Sequence, residues 1–226
     1  MYYLFIDESQ RENRLSLCGL IVRQDRYTAC IDTISLQSQK KRLRTIHDFL
    51  GHLGGWALIL RGDVGGKLSE VSHDGYADVQ HISRRDNVWS RAVIRAIQAA
   101  VVRLERVKGE VITVVDVYHD PKSLTDDHRK AMYQYITEEA ANMFRRLYQR
   151  RGARRLKDAR IRRITSVEKA EKKSRPDKFQ RGIQLADALL KQHDFRETKN
   201  IEVIDITRHL QQIFEADMVA EEFSNK

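Results

Sequence analysis

The chain has 226 residues and carries 41 Lys and Arg against 32 Asp and Glu, for a formal net charge of +9. Its apolar runs are too short for a transmembrane segment and its first residues enter a strand-like segment directly, so we expect a cytoplasmic protein with no membrane anchor or signal peptide. The only two cysteines, Cys18 and Cys30, form no CxxC pair, which argues against a zinc–thiolate site or a disulfide framework. We predict a single domain over residues 1–226, with a helical insertion near 27–53 and a helical extension near 196–226.

The first half of the chain predicts a three-stranded start and one long helix. Residues Tyr2–Asp7 begin with an unbroken apolar run typical of a buried strand, and Arg14–Val22 follows as its antiparallel partner. A third strand is predicted over Trp56–Leu60. The clearest helix covers Asn87–Lys108, where apolar residues recur on one face and Gly109 provides the stop.

The second half of the chain alternates strands and helices. A strand over Val111–Val117 follows the helix at once, and this strand–helix–strand order predicts a crossover to a parallel neighbour. The remaining predicted elements are a helix over Asp126–Arg151 with Thr125 as N-cap, an edge strand over Ala159–Val167, a helix over Gly182–Leu190 and a terminal helix over Ile201–Phe214. We therefore predict an α/β fold with a mixed five-stranded sheet in the order 3-2-1-4-5, flanked by helices.

Three acidic residues lie in apolar surroundings and are candidates for one convergent site. Asp7 ends the first strand, Asp116 is inside the fourth, and Asp187 shares a helix face with apolar neighbours. An ionised carboxylate in such a position is costly unless it is paired or binds a metal. The alternative interpretation is structural: Asp116 could pair with a basic residue such as Arg91 or Arg95, and Asp187 could form a local cap or salt bridge.

A basic block between residues 145 and 163 is the second candidate site. It contains nine arginines and one lysine against a single acid, a density typical of surfaces that contact a phosphate backbone. A solvated helix face or an acidic protein partner would also explain it. The arginines predicted to bind nucleic acid are Arg145, Arg146, Arg150, Arg151, Arg154, Arg155, Arg162 and Arg163.

The order of elements, together with two short motifs, resembles the ribonuclease H-like superfamily, which includes integrases and Holliday-junction resolvases. Within it, the chain is similar to a bacterial and phage family of domains of unknown function. That family opens with Asp-Glu-Ser-Gly and closes with a Gln-Leu-Ala-Asp helix, matched here by residues 7–9 and 184–187. Gln10 stands where the family usually has glycine. The resemblance extends from Tyr2 to about His193.

The resemblance implies a nuclease that hydrolyses phosphodiester bonds of DNA or RNA with Mg²⁺ or Mn²⁺, and the residue types agree with this. Two such ions about 4 Å apart can activate a water and stabilise the leaving oxygen. Asp7 would bridge the ions, while Asp116 and Asp187 would each hold one. Glu8 is a weaker catalytic candidate because it faces away from Asp7, and Gln184 could contact substrate. The alternatives are a non-catalytic nucleic-acid-binding module and a scaffold subunit.

Overall fold

The structure is a computed structural model, and it describes most of the sheet and the helices that flank it. The described residues are 1–11, 13–31, 50–51, 55–63, 71–72, 82–109, 112, 114–122, 124–151, 159–168, 176–191 and 200–212.

The first three strands form the antiparallel half of the sheet. Strand β1 spans Tyr2–Arg11 and pairs with β2, Arg14–Arg23, which in turn pairs with β3, Trp56–Asp63. The predicted hairpin is confirmed, although each strand is longer than predicted. Gln10 continues β1 and pairs with Leu15.

The parallel half of the sheet lies beside β1 and, separately, beside β3. Strand β6, Val114–His119, is parallel to β1, and β7, Arg160–Ser166, is parallel to β6 at the edge. Strand β8, Ile201–Asp205, is parallel to β3 at the opposite edge. The complete order is β7-β6-β1-β2-β3-β8, and β4 (Val71–Ser72) and β5 (Ile82–Ser83) form a separate two-stranded sheet.

The predicted count of five strands is therefore wrong, because the main sheet has six and its full order includes a strand that was not predicted. The five predicted strands keep their mutual order. The error lies in residues 201–205, which form β8 instead of opening a terminal helix, and the described helix there covers only 207–212. Ile201, Val203 and Ile204 are β-branched and pair with β3, which favours the strand.

Besides the helical residues 50–51 and 207–212, four longer helices of the described chain cover the two faces of the sheet. They are α1 (Gln24–Cys30), α2 (Arg84–Lys108), α3 (Asp126–Arg151) and α4 (Lys178–Leu190). Helix α2 ends as predicted at Gly109, whose φ of 61° is left-handed. The predicted N-cap of α3 is confirmed, since the backbone N–H of His128 donates to Thr125 Oγ1 at 3.3 Å. The predicted helical insertion near 27–53 lies mostly outside the described residues.

The core has one layer on each side of the sheet, set by the alternation of side chains along the strands. Leu4 and Ile6 pack towards α2 and α3, whereas Tyr3 and Phe5 pack towards α1 and α4. The same alternation decides which charged residues at the strand ends face which helices. None of the described helices is long and apolar enough to cross a membrane.

Candidate functional site

The register between β1 and β6 brings two aspartates together where the parallel pairing of these strands ends. Ile6 is the Cα partner of His119 in the last pair of this parallel ladder. Asp7 is the next residue after Ile6 in β1, and Asp120 is the next residue after His119, where β6 ends. Asp7 follows Phe5 on the α4 side of the sheet by alternation, and Asp120 follows Tyr118 in the same way. The two carboxyl groups therefore approach each other from neighbouring strands.

Helix α4 brings the third aspartate to the same place because it packs very close to β1. A Cβ built on Gly182 would lie 2.3 Å from the Phe5 ring, so only glycine allows this approach. An Asp177 capping box with Gln180 fixes the start of the helix. Asp187 lies five residues after Gly182 on the same helix and lines an open cleft of about 340 Å³. The residues lining this carboxylate cleft are Asp7, Asp120, Val167, Glu168, Gln180, Ile183, Gln184, Asp187 and Lys191.

The electrostatics of the carboxylate cleft are dominated by burial and by like charges. Burial first, and then the neighbouring charges of Asp187, Asp120 and Glu8, raise the pKa of Asp7 to about 7. A backbone hydrogen bond at Glu8 opposes this only in part. Burial, and then the charges of Asp7 and Asp187, raise the pKa of the Cys18 thiol. Cys18 is the Cα partner of Asp7 on the neighbouring strand β2. The cleft thus gathers negative charge that a cation would neutralise.

Asp187 has a cation of its own in the cleft, one helical turn away. The Lys191 ammonium donates to its carboxylate at 2.7 Å, and both side chains are exposed, at 71% and 38%. This is the local salt bridge that was the structural alternative for Asp187. Among the described residues, no group of three or more His, Cys, Asp or Glu side chains stands in a position to hold a metal ion. Carboxylate oxygens are the donor type that Mg²⁺ prefers, and Mg²⁺ retains several waters when it binds.

The expected convergence of Asp116 with Asp7 is wrong. Asp116 is the partner of Tyr3, four residues before the level of Asp7, which is about 13 Å along the strand. Its side chain is fully buried and is bound by two arginines. Arg162 donates to both carboxylate oxygens, and Arg163 Nε donates at 3.0 Å. The structural alternative, in which Asp116 pairs with arginine, is therefore correct. Its partners are Arg162 and Arg163 on β7, and not Arg91 or Arg95.

Glu8 lies on the opposite face of β1, as the alternation predicts. Its carboxylate forms an ion pair with Lys122, and both side chains are nearly buried. The Lys122 ammonium also stands 4.6 Å from the centre of the Trp89 ring on α2. This pair joins β1 to the segment after β6 from the α2 side of the sheet. Glu8 is thus separated from the carboxylate cleft by the strand itself.

The residue missed by the sequence analysis is Asp120, and a signal for it was present. Residues 116, 118 and 120 alternate onto one face, so two acids of the same segment were available. Because the sequence predicts that Asp7 ends its strand, a parallel neighbour is expected to supply a second acid from its own carboxyl end, which favours Asp120 over the mid-strand Asp116. His119 then fixes this end, since its Nδ1 donates to the Asp120 carbonyl at 2.5 Å and its Nε2 accepts from the Tyr133 hydroxyl at 2.6 Å.

The predicted basic residues fall into three groups. Arg145 and Arg146 are exposed on α3, and Arg145 donates to the Asn142 side chain. The side chains of Arg150, Arg151, Arg154 and Arg155 lie outside the described part of the chain. Arg162 and Arg163 are the pair that binds Asp116, and about half of each side chain stays exposed, at 45% and 48%.

The fold is thus α/β, with a mixed six-stranded sheet covered by helices and an acidic cleft where the pairing of the parallel strands β1 and β6 ends. No protein-family model and no curated protein matches the chain. Among solved structures, it is similar to a chain of the complex of PCNA with RNase HII from Archaeoglobus fulgidus. The TM-score is 0.38 at 13% identity, covering 84% of this chain and 71% of that chain. A likeness of this degree assigns neither family nor activity.

Proposed function

We propose that this protein is a metal-dependent phosphodiester hydrolase that acts on nucleic acid, with Asp7, Asp120 and Asp187 as its metal-binding residues. The observation that supports this best is the meeting of these three aspartates in one cleft, where burial and like charges hold the pKa of Asp7 near 7. Carboxylates gathered at such a cost commonly serve a function. The resemblance of residues 7–9 and 184–187 to a ribonuclease H-like family points to the same chemistry.

The donor set fits Mg²⁺ or Mn²⁺, in one or two ions. When bound, such an ion would lower the pKa of an attacking water and offset charge on the leaving oxygen. Asp7 is the central ligand, because it interacts electrostatically with both Asp120, just after β6, and Asp187 on α4. Glu168 and Gln184 line the same cleft and are placed to contact substrate or coordinated water.

Lys191 has two successive roles in this proposal. Without a metal, its ammonium offsets the charge of Asp187. A cation bound by Asp187 would compete with this pair, and the ammonium would then be available beside the cleft. A flexible, exposed lysine can then contact a substrate phosphate as a point charge.

The test is cleavage of labelled DNA and RNA panels, single- and double-stranded, with Mg²⁺, Mn²⁺, Ca²⁺ or EDTA. Wild type should cleave with Mg²⁺ or Mn²⁺ and poorly with Ca²⁺, whose looser coordination misplaces the reacting oxygens. Asp7→Asn, Asp120→Asn and Asp187→Asn should each reduce the rate by about two orders of magnitude or more. Asp25→Asn is the matched control. Asp25 is an exposed aspartate on α1 that forms an ion pair with Arg23, and it does not line the cleft.

Asp116→Asn distinguishes the structure-based site from the sequence-based one. At saturating substrate it should retain turnover, whereas Asp120→Asn should not, because Asp116 lies about 13 Å from the level of Asp7. Loss of turnover in Asp116→Asn with retention in Asp120→Asn would contradict the proposed ligand set. Equal cleavage by Asp7→Asn and wild type would contradict the proposed activity altogether.

A non-catalytic nucleic-acid-binding module is the second candidate. The Asp187–Lys191 ion pair favours it, since it satisfies one carboxylate without a metal. Nucleic-acid binding with no cleavage of any substrate and no divalent-ion binding would support this candidate. Calorimetric titration with Mn²⁺ decides between the two candidates. The hydrolase requires an Mn²⁺-binding site that Asp7→Asn abolishes, whereas the binding module requires no such site.

A further inference from the structure

The edge of the sheet carries a second arrangement of charges, built around the buried Asp116. The register between β6 and β7 shifts at this point: Val115 is opposite Ile161, and the next residue, Asp116, is opposite Arg163. Arg162 is therefore the extra residue of a β-bulge. As a result Ile161 and Ile164, three apart, both pack on the α2–α3 side, which regular alternation would not allow.

The bulge turns two consecutive arginines onto one face of the sheet. Arg162 grips Asp116 with a two-pronged contact, in which Nε donates to Oδ1 at 2.8 Å and Nη2 donates to Oδ2 at 2.5 Å. Arg163 Nε donates to Oδ2 at 3.0 Å, and its Nη2 donates to the Tyr118 hydroxyl. The Arg163 guanidinium also stands 5.5 Å from the centre of the Tyr118 ring. Both guanidinium groups are thus held by several contacts each.

This arrangement exceeds what neutralising one aspartate requires. A single arginine in a two-pronged contact already neutralises the charge of one carboxylate. The second arginine leaves the group of three with a net charge of +1, half-exposed at the edge of the sheet. Arginines fixed in this way lose less side-chain entropy when a phosphate binds to their remaining N–H groups than free ones do.

We propose that Asp116 is a positioning residue that holds Arg162 and Arg163 as a clamp for backbone phosphates of a nucleic-acid strand. This edge clamp rests on the proposed function, because it serves the strand whose scissile bond enters the carboxylate cleft. Asp116 and Asp120 alternate onto the same face of β6, about 13 Å apart along the strand direction. That distance corresponds to about four nucleotides at the 3.4 Å rise of a B-form strand.

The test is binding of labelled oligonucleotides in EDTA, where cleavage does not interfere, over about 50 to 200 mM salt. Arg162→Gln and Arg163→Gln should each weaken binding and reduce the slope of log affinity against log salt by about 0.7 to 0.9, the value of one lost phosphate contact. The matched control is Arg160→Gln, which removes the same charge from the same strand. Arg160 is exposed and is not among the arginines bound to Asp116, so its variant should change the slope less.

Asp116→Asn separates positioning from charge. It makes the protein one charge more positive, so a purely electrostatic role predicts tighter binding to a polyanion. Positioning predicts the reverse, a loss of about tenfold, comparable with one hydrogen bond to a charged group. Arg162→Lys and Arg163→Lys keep the charge but lose the planar fork, and should also weaken binding. They test the clamp even if Asp116→Asn does not fold.

Several outcomes would overturn the edge clamp. Asp116→Asn that is folded and binds nucleic acid as tightly as wild type or more tightly would do so. Lysine variants with unchanged affinity and slope would do so as well. Loss of binding to polyglutamate with no loss for nucleic acid would assign the arginines to an acidic protein instead. The binding assay needs no metal, so failure of the clamp and failure of hydrolysis are seen separately.

Discussion

At the scale of single residues, the protonation of Asp7 links the carboxylate cleft to folding stability. Its pKa of about 7 is raised mainly by burial and then by the charges of Asp187, Asp120 and Glu8. Between the ordinary value of 3.8 and about 7, the folded chain binds a proton at Asp7 that the unfolded chain has released. The contribution of Asp7 to stability is therefore largest in acid and falls as the pH rises through about 7.

We expect Asp7→Asn to be more stable than wild type at pH 8, by about 1 to 2 kcal/mol, and the difference to narrow as the pH falls towards 4. Chemical denaturation of both proteins across this range measures it. Asp25→Asn is the control with opposite sign, because the hydrogen bond from Arg23 holds the pKa of Asp25 below its usual value. A gain in stability of the same size in both variants would contradict the role of burial at Asp7.

The His119 ring holds Asp120 in position by donating a hydrogen bond to the Asp120 backbone carbonyl. Burial lowers its pKa to about 4, so the ring is neutral at pH 7 and accepts at Nε2 from the Tyr133 hydroxyl. Tyr133→Phe leaves this buried nitrogen without that donor, and we expect a loss of about 1 to 2 kcal/mol in the free energy of unfolding. If Asp120 acts as proposed, kcat should fall more than substrate affinity. Unchanged denaturation curves would show that the hydrogen bond is not needed.

At the scale of secondary-structure elements, the cleft depends on how closely α4 approaches β1. Gly182→Ala would place a methyl carbon 2.3 Å from the Phe5 ring, so the helix must shift. We expect a loss of about 1 to 3 kcal/mol in the free energy of unfolding, and weaker metal binding because Asp187 moves with the helix. Gly109→Ala is the comparison: it strains a left-handed φ but meets nothing within 4 Å.

Phe5→Leu tests whether the Phe5 ring is the obstacle. In a double-mutant cycle, Gly182→Ala should cost less in the Phe5→Leu background, because the smaller side chain leaves room for the methyl group. Additive effects would show that the alanine acts through the backbone alone.

The elements that sequence predicted well are those whose pattern is local. The helices over residues 84–108 and 126–151 followed from apolar periodicity and caps, and the β1–β2 hairpin from two apolar runs. Strand β8 was missed because a short β-branched run followed by helical spacing is ambiguous without its partner β3. Register explains the error at the site. The two candidate acids of this segment differ by four residues, and the pairing of β6 with β1 puts Asp120 rather than Asp116 at the level of Asp7.

At the scale of the whole molecule, charge is unevenly placed. The net charge is +9, yet three aspartates gather in the carboxylate cleft while arginines occupy the sheet edge at Asp116. If the edge clamp and the cleft act as proposed, a polyanion is attracted by the overall charge and bound at the edge, but is repelled at the cleft until cations bind there. Divalent cations should therefore increase nucleic-acid affinity at constant ionic strength, and less so in Asp7→Asn.

The thermal stability of the whole chain provides a test of metal binding that does not depend on activity. A ligand that binds only the folded state stabilises it by RT ln(1 + [L]/Kd), or about 1.4 kcal/mol at ten times Kd. We expect Mg²⁺ or Mn²⁺ to raise the melting temperature of wild type, because a bound cation would offset both the cost of burying the Asp7 charge and the repulsion from Asp187 and Asp120. Asp7→Asn should start higher at pH 8 and gain less. EDTA should reverse the gain, and NaCl at the same ionic strength should not reproduce it, since screening alone does not coordinate buried carboxylates. An equal rise in wild type and Asp7→Asn would place the bound cation elsewhere and remove the central support for a metal-dependent hydrolase.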